Sequence, residues 1–174
     1  MYGRLILQKI RKGKKMNKKI LYGFIILIVI VVIGGVIYFL INNNKEEDIN
    51  IDLQSLNATL SSQPPFNELA TMDVTVETLE TVLQITSDEV EEVIGKMPMM
   101  NVQASMYIVI KAKDEAVDTV KTKIESYGAS YEEQWSTYLP EQYELVKQRK
   151  IGVKGNYVYL IISENSSDLE ALVK

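Results

Sequence analysis

The hydrophobic pattern divides the chain into two parts that meet near residue 41. A stretch that begins at Ile20 and ends at Ile41 contains no charged residue and no proline, and 17 of its 22 residues are Ile, Leu, Val or Phe. As a helix it would be about 33 Å long, comparable with the roughly 30 Å hydrocarbon core of a bilayer. We therefore predict a transmembrane helix over residues 20–41, with the lipid bilayer as its partner.

Two other interpretations explain this stretch less well. A buried helix of a soluble protein needs a core around every face, and the roughly 120 residues of the second part are too few to provide one. A cleaved signal peptide has a shorter apolar region, of about 7–15 residues, and small residues before its cleavage site. Phe39, Leu40 and Ile41 are all large, so an uncleaved signal anchor is the better hypothesis.

The distribution of charge predicts the orientation of this helix. Eight of the 19 basic residues precede it, and all 23 acidic residues follow it. Because basic flanks stay in the cytoplasm, we expect a single-pass protein of the cell membrane with a cytoplasmic N-terminus and an extracytoplasmic C-terminal part. That part has 11 basic and 23 acidic residues, a net charge of −12, which excludes nucleic acid as a natural partner.

Four segments follow from these observations. Residues 1–19 form a basic cytoplasmic segment, residues 20–41 the transmembrane helix, residues 42–51 a polar tether and residues 52–174 an extracytoplasmic domain. Met16 is followed by Asn17, Lys18 and Lys19, a short basic stretch directly before the predicted span. Translation from Met16 instead of Met1 is therefore an alternative.

The pattern after residue 51 predicts several helices. Asp52 is suited to cap a short helix that carries Leu53, Leu56 and Leu60 on one face. A second, short helical piece is expected over residues 77–85. A long helix capped by Asp114 has apolar and aromatic residues at steps of three and four, and Pro140 is expected to end it. The final predicted helix follows caps at residues 165–167.

Runs of β-forming residues predict four strands. We expect the first two to form an antiparallel pair, residues 141–146 to lead into the third, and the turn at residues 155–156 to join the third to the fourth. The fold class is therefore α+β: a four-stranded, mainly antiparallel sheet with helices on one side, in the order α-β-β-α-β-β-α. The predicted strands are residues 90–98, 102–112, 147–154 and 157–163.

Aromatic residues form the most distinctive pattern on the long helix. Their helical spacing favours packing on the sheet, but Tyr and Trp are also common in binding surfaces. These residues are therefore also our candidate interaction surface. The set consists of Tyr127, Tyr131, Trp135, Tyr138 and Tyr143. Met97, Met99 and Met100 allow the same two interpretations, an adaptable contact surface or the filling of gaps in the core.

The composition excludes several chemistries. The chain has no cysteine and no histidine, which rules out disulfides, thiolate or imidazole metal ligands and catalysis by either residue type. Carboxylates could act as an acid–base pair on sugars, and the clustered candidates are Asp88, Glu89, Glu91, Glu92, Glu132 and Glu133. Neighbouring carboxylates are more typical of a solvated face. We predict no catalytic residue, no cofactor and no metal site.

Residues 139–163, LPEQYELVKQRKIGVKGNYVYLIIS, carry a resemblance to a known family. The more specific motifs are PEQYEL at 140–145 and GNYV at 155–158, supported by FNEL at 66–69 and IKAKD at 110–114. With these motifs the chain resembles an uncharacterised family of Gram-positive bacterial envelope proteins, domain of unknown function 4358, over about residues 52–173. The resemblance implies an envelope location and the fold above. Members are typically lipoproteins anchored by a cysteine, which this chain lacks. The family has no established activity, so the resemblance implies no functional residues.

The sequence therefore favours a membrane-anchored, non-enzymatic binding or interaction module of the cell envelope. Its expected partner is an unknown envelope protein or wall polymer. Two alternatives stay open: a carboxylate-dependent envelope hydrolase, and a single-pass sensor that acts through a partner.

Overall fold

The structure, a computed structural model, describes residue 27, residues 29–35 and residues 49–173. The chain divides into two units between Glu46 and Glu47. Within the described part of the first unit the residues are helical, and their large apolar side chains are exposed. Among all described residues, no helix is both long and apolar enough to cross a membrane. Residues 1–19, most of the predicted span and most of the tether lie outside the described ranges, so those three assignments stay predictions.

The helix predicted after Asp52 is present as α1 (Leu53–Ser61). Asp52 Oδ1 accepts hydrogen bonds from the backbone N–H groups of Gln54 and Ser55, both at 3.1 Å. These bonds satisfy donors that the first turn of a helix leaves unpaired. As predicted, one face of the helix is buried, and it consists of Leu53, Leu56 and Leu60.

Two further α-helices lie between α1 and Pro140. The short helical piece predicted over residues 77–85 is present as α2 (Val76–Thr78), which continues directly into a π-helical turn, Leu79–Leu83. The long helix α3 (Val117–Trp135) runs without a break through Gly128. Residues 114–116 form a 3-10 turn before it. The N-cap residue of α3 is therefore Ala116 and not Asp114, which we had predicted.

The region after Pro140 also differs from the prediction. Residues 141–146, which we expected to lead into a strand, belong to helix α4 (Pro140–Lys147). Pro140 occupies the first turn of that helix, where the missing N–H costs nothing because that group would have no intrahelical partner. Proline therefore separates two helices here, and the next strand begins only at Lys150.

Within residues 49–173, five strands form one antiparallel sheet, where we predicted four. They are β1 (Thr71–Asp73), β2 (Val90–Pro98), β3 (Met106–Ala112), β4 (Lys150–Lys154) and β5 (Tyr157–Ile162). Their order across the sheet is β1-β2-β3-β5-β4. The unpredicted β1 pairs with the end of β2, with Met72 opposite Met97. Three residues are too few to show the alternation by which a strand is recognised.

Helices cover both faces of the sheet, not one face as we predicted. Along β3, Met106 and Ile108 belong to a core completed by α3 and the π-helical turn. The intervening Tyr107 and Val109 belong to a second core, completed by α1 and the short helix α5 (Ser166–Glu170). Because β3 and β5 are covered on both sides, they consist of nearly continuous apolar residues instead of alternating ones.

Two fully buried tyrosines connect the second core to the N-terminal side of the domain. The Tyr107 hydroxyl donates a hydrogen bond to Asn57 Oδ1 at 2.7 Å. The Tyr157 hydroxyl accepts one from the backbone N–H of Ile51 at 3.0 Å. Burial raises the pKa of Tyr107 to about 12, so this hydroxyl keeps its proton and remains a donor at neutral pH.

Gly95 allows neighbouring backbone to approach β2 closely. A Cβ atom at this position would lie 2.6 Å from the backbone oxygen of Tyr107 and 2.9 Å from Val74 Cγ2. The oxygen belongs to the central strand of the sheet and cannot move without disturbing the pairing of β2 and β3. Only glycine therefore fits at position 95 without displacing the neighbouring backbone.

We predict that Gly95→Ala lowers the free energy of unfolding by about 2–3 kcal/mol, because a methyl group must displace backbone in a well-packed core. Chemical unfolding followed by the fluorescence of Trp135, the one tryptophan of the chain, measures this change. Gly34→Ala is the control, since none of the residues that the structure describes lies within 4 Å of its added Cβ. Equal unfolding midpoints for the two variants would contradict the packing argument.

Candidate functional site

The structure separates the five aromatic residues of the candidate interaction surface by their exposure. Tyr131 and Trp135 are buried, with 9% and 3% of their surface exposed, whereas Tyr138 is 54% exposed. Tyr127 and Tyr143 are half-buried and pack against the same core. Four of the five thus belong to this core or pack against it. The use of all five as one binding surface stays a prediction.

The aromatic rings along α3 contact one another in sequence. Tyr127 stacks on Tyr131 with 5.6 Å between ring centroids, and Tyr131 meets the edge of Trp135 at 5.9 Å. Burial raises the pKa of both tyrosines. Their hydroxyls therefore stay protonated at neutral pH, which suits packing and hydrogen bonding.

The buried end of this aromatic series lines a cleft that we call the methionine cleft. Its walls come from the end of β2, the turn between β2 and β3, the first residue of β3 and the last turns of α3. The cleft has a volume of about 250 Å³. Its lining residues are Met97, Pro98, Met99, Met100, Asn101, Gln103, Met106, Tyr131, Gln134 and Trp135.

The methionines of this cleft run from the core to the surface. Met106 is fully buried, Met97 is half-buried, and Met99 and Met100 are 67% and 50% exposed. A backbone hydrogen bond of 3.0 Å from Met99 to Ala70 holds the turn in place. Methionine is flexible and polarizable, so these side chains can adapt to an apolar group that enters the cleft.

Trp135 brings an unusual polar atom to the cleft. Its indole Nε1 is buried and has no hydrogen-bond partner in the described part of the chain. Burial raises the pKa of the neighbouring Tyr131, and the Trp135 side chain acts in the opposite direction as a hydrogen-bond partner, although the two groups do not meet the strict geometry of a hydrogen bond. A buried donor without a partner costs about 1–3 kcal/mol, so this position is an energetic cost of packing Trp135 into the core.

A second cleft, which we call the polar cleft, was not predicted from the sequence. Its volume is about 390 Å³. The Gln142 side chain accepts a hydrogen bond from the backbone N–H of Ala104 at 2.8 Å and thereby links α4 to the start of β3. The lining residues are Pro64, Pro65, Glu68, Gln103, Ser105, Gln142, Leu145, Glu164 and Asn165. They come together only through the fold, so no local motif marks them.

The clustered carboxylates singled out in the sequence line neither cleft. Several of them form ion pairs with basic residues of neighbouring elements. The pairs are Glu89 with Lys123, Glu91 with Lys111 and Glu132 with Arg149. Among the described residues, no group of three or more acidic side chains is placed to hold a metal ion. These carboxylates connect surface elements of the fold.

Glu89 is the least exposed carboxylate of the ion pairs. Lys123 Nζ lies 2.6 Å from its Oε1, and the backbone N–H of Thr86 donates to its Oε2 at 2.7 Å. Burial alone would raise the pKa of Glu89, but the hydrogen bonds from Lys123 and Thr86 outweigh burial and lower it. The stabilisation is therefore present above the unfolded-state pKa and is lost as pH falls through the folded-state pKa.

We predict that Glu89→Gln lowers the free energy of unfolding by about 1 kcal/mol at neutral pH, because it removes the ion pair with Lys123 and leaves a neutral, weaker acceptor for the Thr86 N–H. The deficit should shrink as pH falls below the ordinary pKa of a glutamate, about 4.3, and through the lower folded-state pKa of Glu89, where the wild-type carboxylate gains its proton. Urea unfolding at several pH values measures this. Glu133→Gln, at an exposed position, is the control, and a deficit that does not depend on pH would refute the assignment.

Comparison with known proteins places the domain in a family. A family model described as Domain of unknown function (DUF4358) matches residues 66–163, more than half of the chain. The match includes every residue of the methionine cleft but not α1 or α5, so it is narrower than the resemblance over residues 52–173 suggested. No curated protein and no solved structure matches the chain. The chain belongs to the DUF4358 family.

Proposed function

We propose that this protein is a membrane-anchored, non-enzymatic interaction module of the bacterial cell envelope, and that its methionine cleft is the contact site for an envelope partner. The observation that carries the proposal is the cleft itself. Exposed Met99 and Met100 line it together with the buried Trp135.

The chemistry and size of the cleft support partner binding. Methionine-rich surfaces are typical of proteins that bind apolar segments of other proteins, because the side chains can repack around different groups. Small-molecule sites usually have volumes of about 300–1,000 Å³. The methionine cleft, at about 250 Å³, is better suited to one side chain of a larger partner than to a complete small ligand.

The N-terminal part of the chain supports membrane anchoring. The described residues between 27 and 33 are 49–64% exposed although all are Leu, Val or Ile. A continuous apolar surface of this kind is unfavourable in water and favourable in lipid. The basic residues before this segment and the acidic residues after it support an extracytoplasmic position for the domain.

The carboxylate pairs support a non-enzymatic role. Glu89, Glu91 and Glu132 are engaged by basic side chains, whereas a catalytic acid–base pair must flank a cleft that admits the substrate. With neither histidine nor cysteine in the chain, the residue types most used for proton transfer and nucleophilic attack are missing.

Capture of partners from the protein's own cells tests the proposal. We expect full-length protein, crosslinked in intact cells and then solubilised, to recover an envelope protein or wall polymer. The double variant Met99→Glu/Met100→Glu should reduce that recovery at least tenfold, because it places two carboxylates at the mouth of an uncharged cleft.

The matched control for this experiment is Met72→Glu. Met72 is 46% exposed and does not line the cleft, so the substitution adds a similar charge at a similar exposure elsewhere. Equal recovery by the double variant and the wild type would exclude the methionine cleft as the contact site. Failure of the wild type to recover anything above background would refute the proposed function as a whole.

A second candidate function, a carboxylate-dependent envelope hydrolase, is favoured by one observation. Glu68 and Glu164 line the same polar cleft, together with amide and hydroxyl groups. Hydrolysis of wall glycans by the purified protein, abolished by Glu68→Gln or Glu164→Gln and retained in Glu133→Gln, would establish this function. Activity that survives both substitutions would exclude the polar cleft as a carboxylate-dependent hydrolase site.

Membrane anchoring and orientation generate a separate prediction. We expect the intact protein to sediment with membranes after cell breakage, and external protease to degrade residues 52–174 in whole protoplasts, because the basic N-terminal flank stays in the cytoplasm. Immunoblotting against a C-terminal tag measures both. Recovery in the aqueous fraction, or protection of the tag in protoplasts whose known external proteins are digested, would contradict the topology.

A further inference from the structure

Strand β4 forms an open edge of the sheet. It is the last strand in the order β1-β2-β3-β5-β4 and pairs with β5 alone. Among the described residues, no further backbone hydrogen bond reaches β4. Gly152, in the middle of β4, is half-buried, whereas Gly95 on the inner strand β2 is buried. Because glycine has no side chain, solvent reaches the backbone of β4, and such an edge can pair with another strand.

The outward-pointing backbone groups of β4 belong to two residues. Residues 155–156 form the hydrogen-bonded turn of the hairpin and place Lys154 opposite Tyr157. In an antiparallel pair, hydrogen-bonded and non-hydrogen-bonded positions alternate. Counting back from the turn, Lys154 and every second residue before it bond to β5. The residues between them, Ile151 and Val153, therefore direct their N–H and C=O groups away from the sheet.

The side chains of β4 alternate between the two faces of the sheet. Ile151 packs against the core that includes α3. Lys150, Gly152 and Lys154 therefore lie on the opposite face. Tyr159 occupies the space above Gly152, since a Cβ atom added there would collide with its ring and hydroxyl. Two lysines thus stand four residues apart on one face of the open edge.

Charge sets this edge apart from the rest of the C-terminal part, whose net charge is −12. Residues 147–154 contain four basic residues and no acidic one. Two of the four are ion-paired within the domain, whereas Lys150 and Lys154 form no ion pair with a described carboxylate. The edge therefore suits a strand that brings carboxylates of its own.

The same lysines oppose pairing between two copies of the chain. If β4 paired antiparallel with β4 of a second copy about Gly152, each Lys150 would stand opposite the other Lys154, and like charges directly opposite are destabilising. The other edge strand, β1, has three residues, and its Asp73 is already paired with Lys96. A second copy therefore lacks the two carboxylates that suit this edge.

A cleft beside β4 gives room to a side chain opposite Gly152. It has a volume of about 420 Å³ and is lined by residues of β4, by Tyr159 and by residues in and after α5. The Tyr159 hydroxyl donates a hydrogen bond of 2.8 Å to Glu170 Oε1 in this lining, so that carboxylate has a partner inside the fold. Because hydroxyl and charged groups line the cleft beside Val173, a small polar side chain such as that of threonine fits there.

We propose that β4 binds an extended, acidic segment of a partner protein, which adds to the sheet as an antiparallel strand. Two carboxylates of the segment, four residues apart, lie opposite Lys150 and Lys154. The apolar residues between them lie opposite Ile151 and Val153 and exchange backbone hydrogen bonds with them. The backbone bonds supply affinity and the side chains specificity. This inference goes beyond the proposed function, since β4 and the methionine cleft share no residue.

Titration with a designed peptide tests the inference. The probe is Ser-Glu-Val-Thr-Val-Glu-Ser with blocked termini, which carries two glutamates four residues apart. Full-length protein in lipid nanodiscs, ¹⁵N-labelled at isoleucine and valine, reports binding through its backbone amide signals. We expect saturable shifts of the Ile151 and Val153 amides with a Kd of about 1 mM, as for a short, flexible ligand. No saturable shift of these amides up to about 10 mM peptide would overturn the inference.

Two matched peptides separate strand addition from attraction by charge alone. N-methylation of both valines keeps the charge of the probe but removes the donors that face Ile151 and Val153. Replacement of both glutamates by lysine keeps the backbone but reverses the charge. Each change should weaken binding at least tenfold. Equal affinity of the N-methylated peptide would overturn the inference, because β4 would then attract any anionic polymer, and equal affinity of the lysine peptide would exclude the acidic partner.

Two variants of the protein locate the site. Lys150→Glu/Lys154→Glu should weaken the probe at least tenfold, while Lys113→Glu/Lys121→Glu, with the same change of charge outside β4, stays within twofold of wild type. Val153→Pro should also weaken it at least tenfold, measured at the Ile151 amide. An edge strand tolerates proline where its N–H points outward, and circular dichroism verifies folding. Undiminished binding by the double variant at β4, or by folded Val153→Pro, would overturn the inference.

Self-association and partner capture complete the test. Concentration-dependent association of the wild type that Val153→Pro abolishes would assign this edge to a second copy and overturn the inference. Failure of the peptide titration would leave the methionine cleft untouched, because capture there is tested through Met99 and Met100. Exclusion of the methionine cleft would likewise leave the result at β4 standing.

Discussion

The fold depends on two adjacent strands that are buried on both faces. Nearly every residue of β3 and β5 is fully buried, so one layer of helices would leave half of this apolar surface in water. The first face is covered by α3 and the π-helical turn, and the second by α1 and α5. Helices that are distant in sequence are therefore all needed to cover the same pair of strands.

The methionine cleft lies where the first of these cores reaches the surface. Met106 and Trp135 belong to the core, whereas Met99 and Met100 are exposed. A contact at this point would combine a rigid floor, set by strand and helix, with adaptable side chains at the mouth. Binding sites commonly combine these two properties, because the floor limits the entropy lost on binding and the mouth accommodates different partners.

The sequence predicted those parts of the domain whose signal is local. The capped helix after Asp52 and the limits of β2 followed from capping chemistry and β-forming residues. The three-residue β1 carries too little pattern, and Pro140 can end one helix or begin another, so α4 was missed. The methionine and polar clefts join residues that are far apart in the chain. The burial of Trp135 at one of these clefts is likewise a property of packing that no local pattern encodes.

The hydrogen bonds between Tyr157 and Ile51 have a mechanical consequence. Tension applied to the chain from its N-terminal side reaches the domain at Ile51 and is resisted first by this tyrosine and by α1. If that attachment gave way, the load would pass next to α1, the helix that follows Ile51 in the chain and packs in the second core.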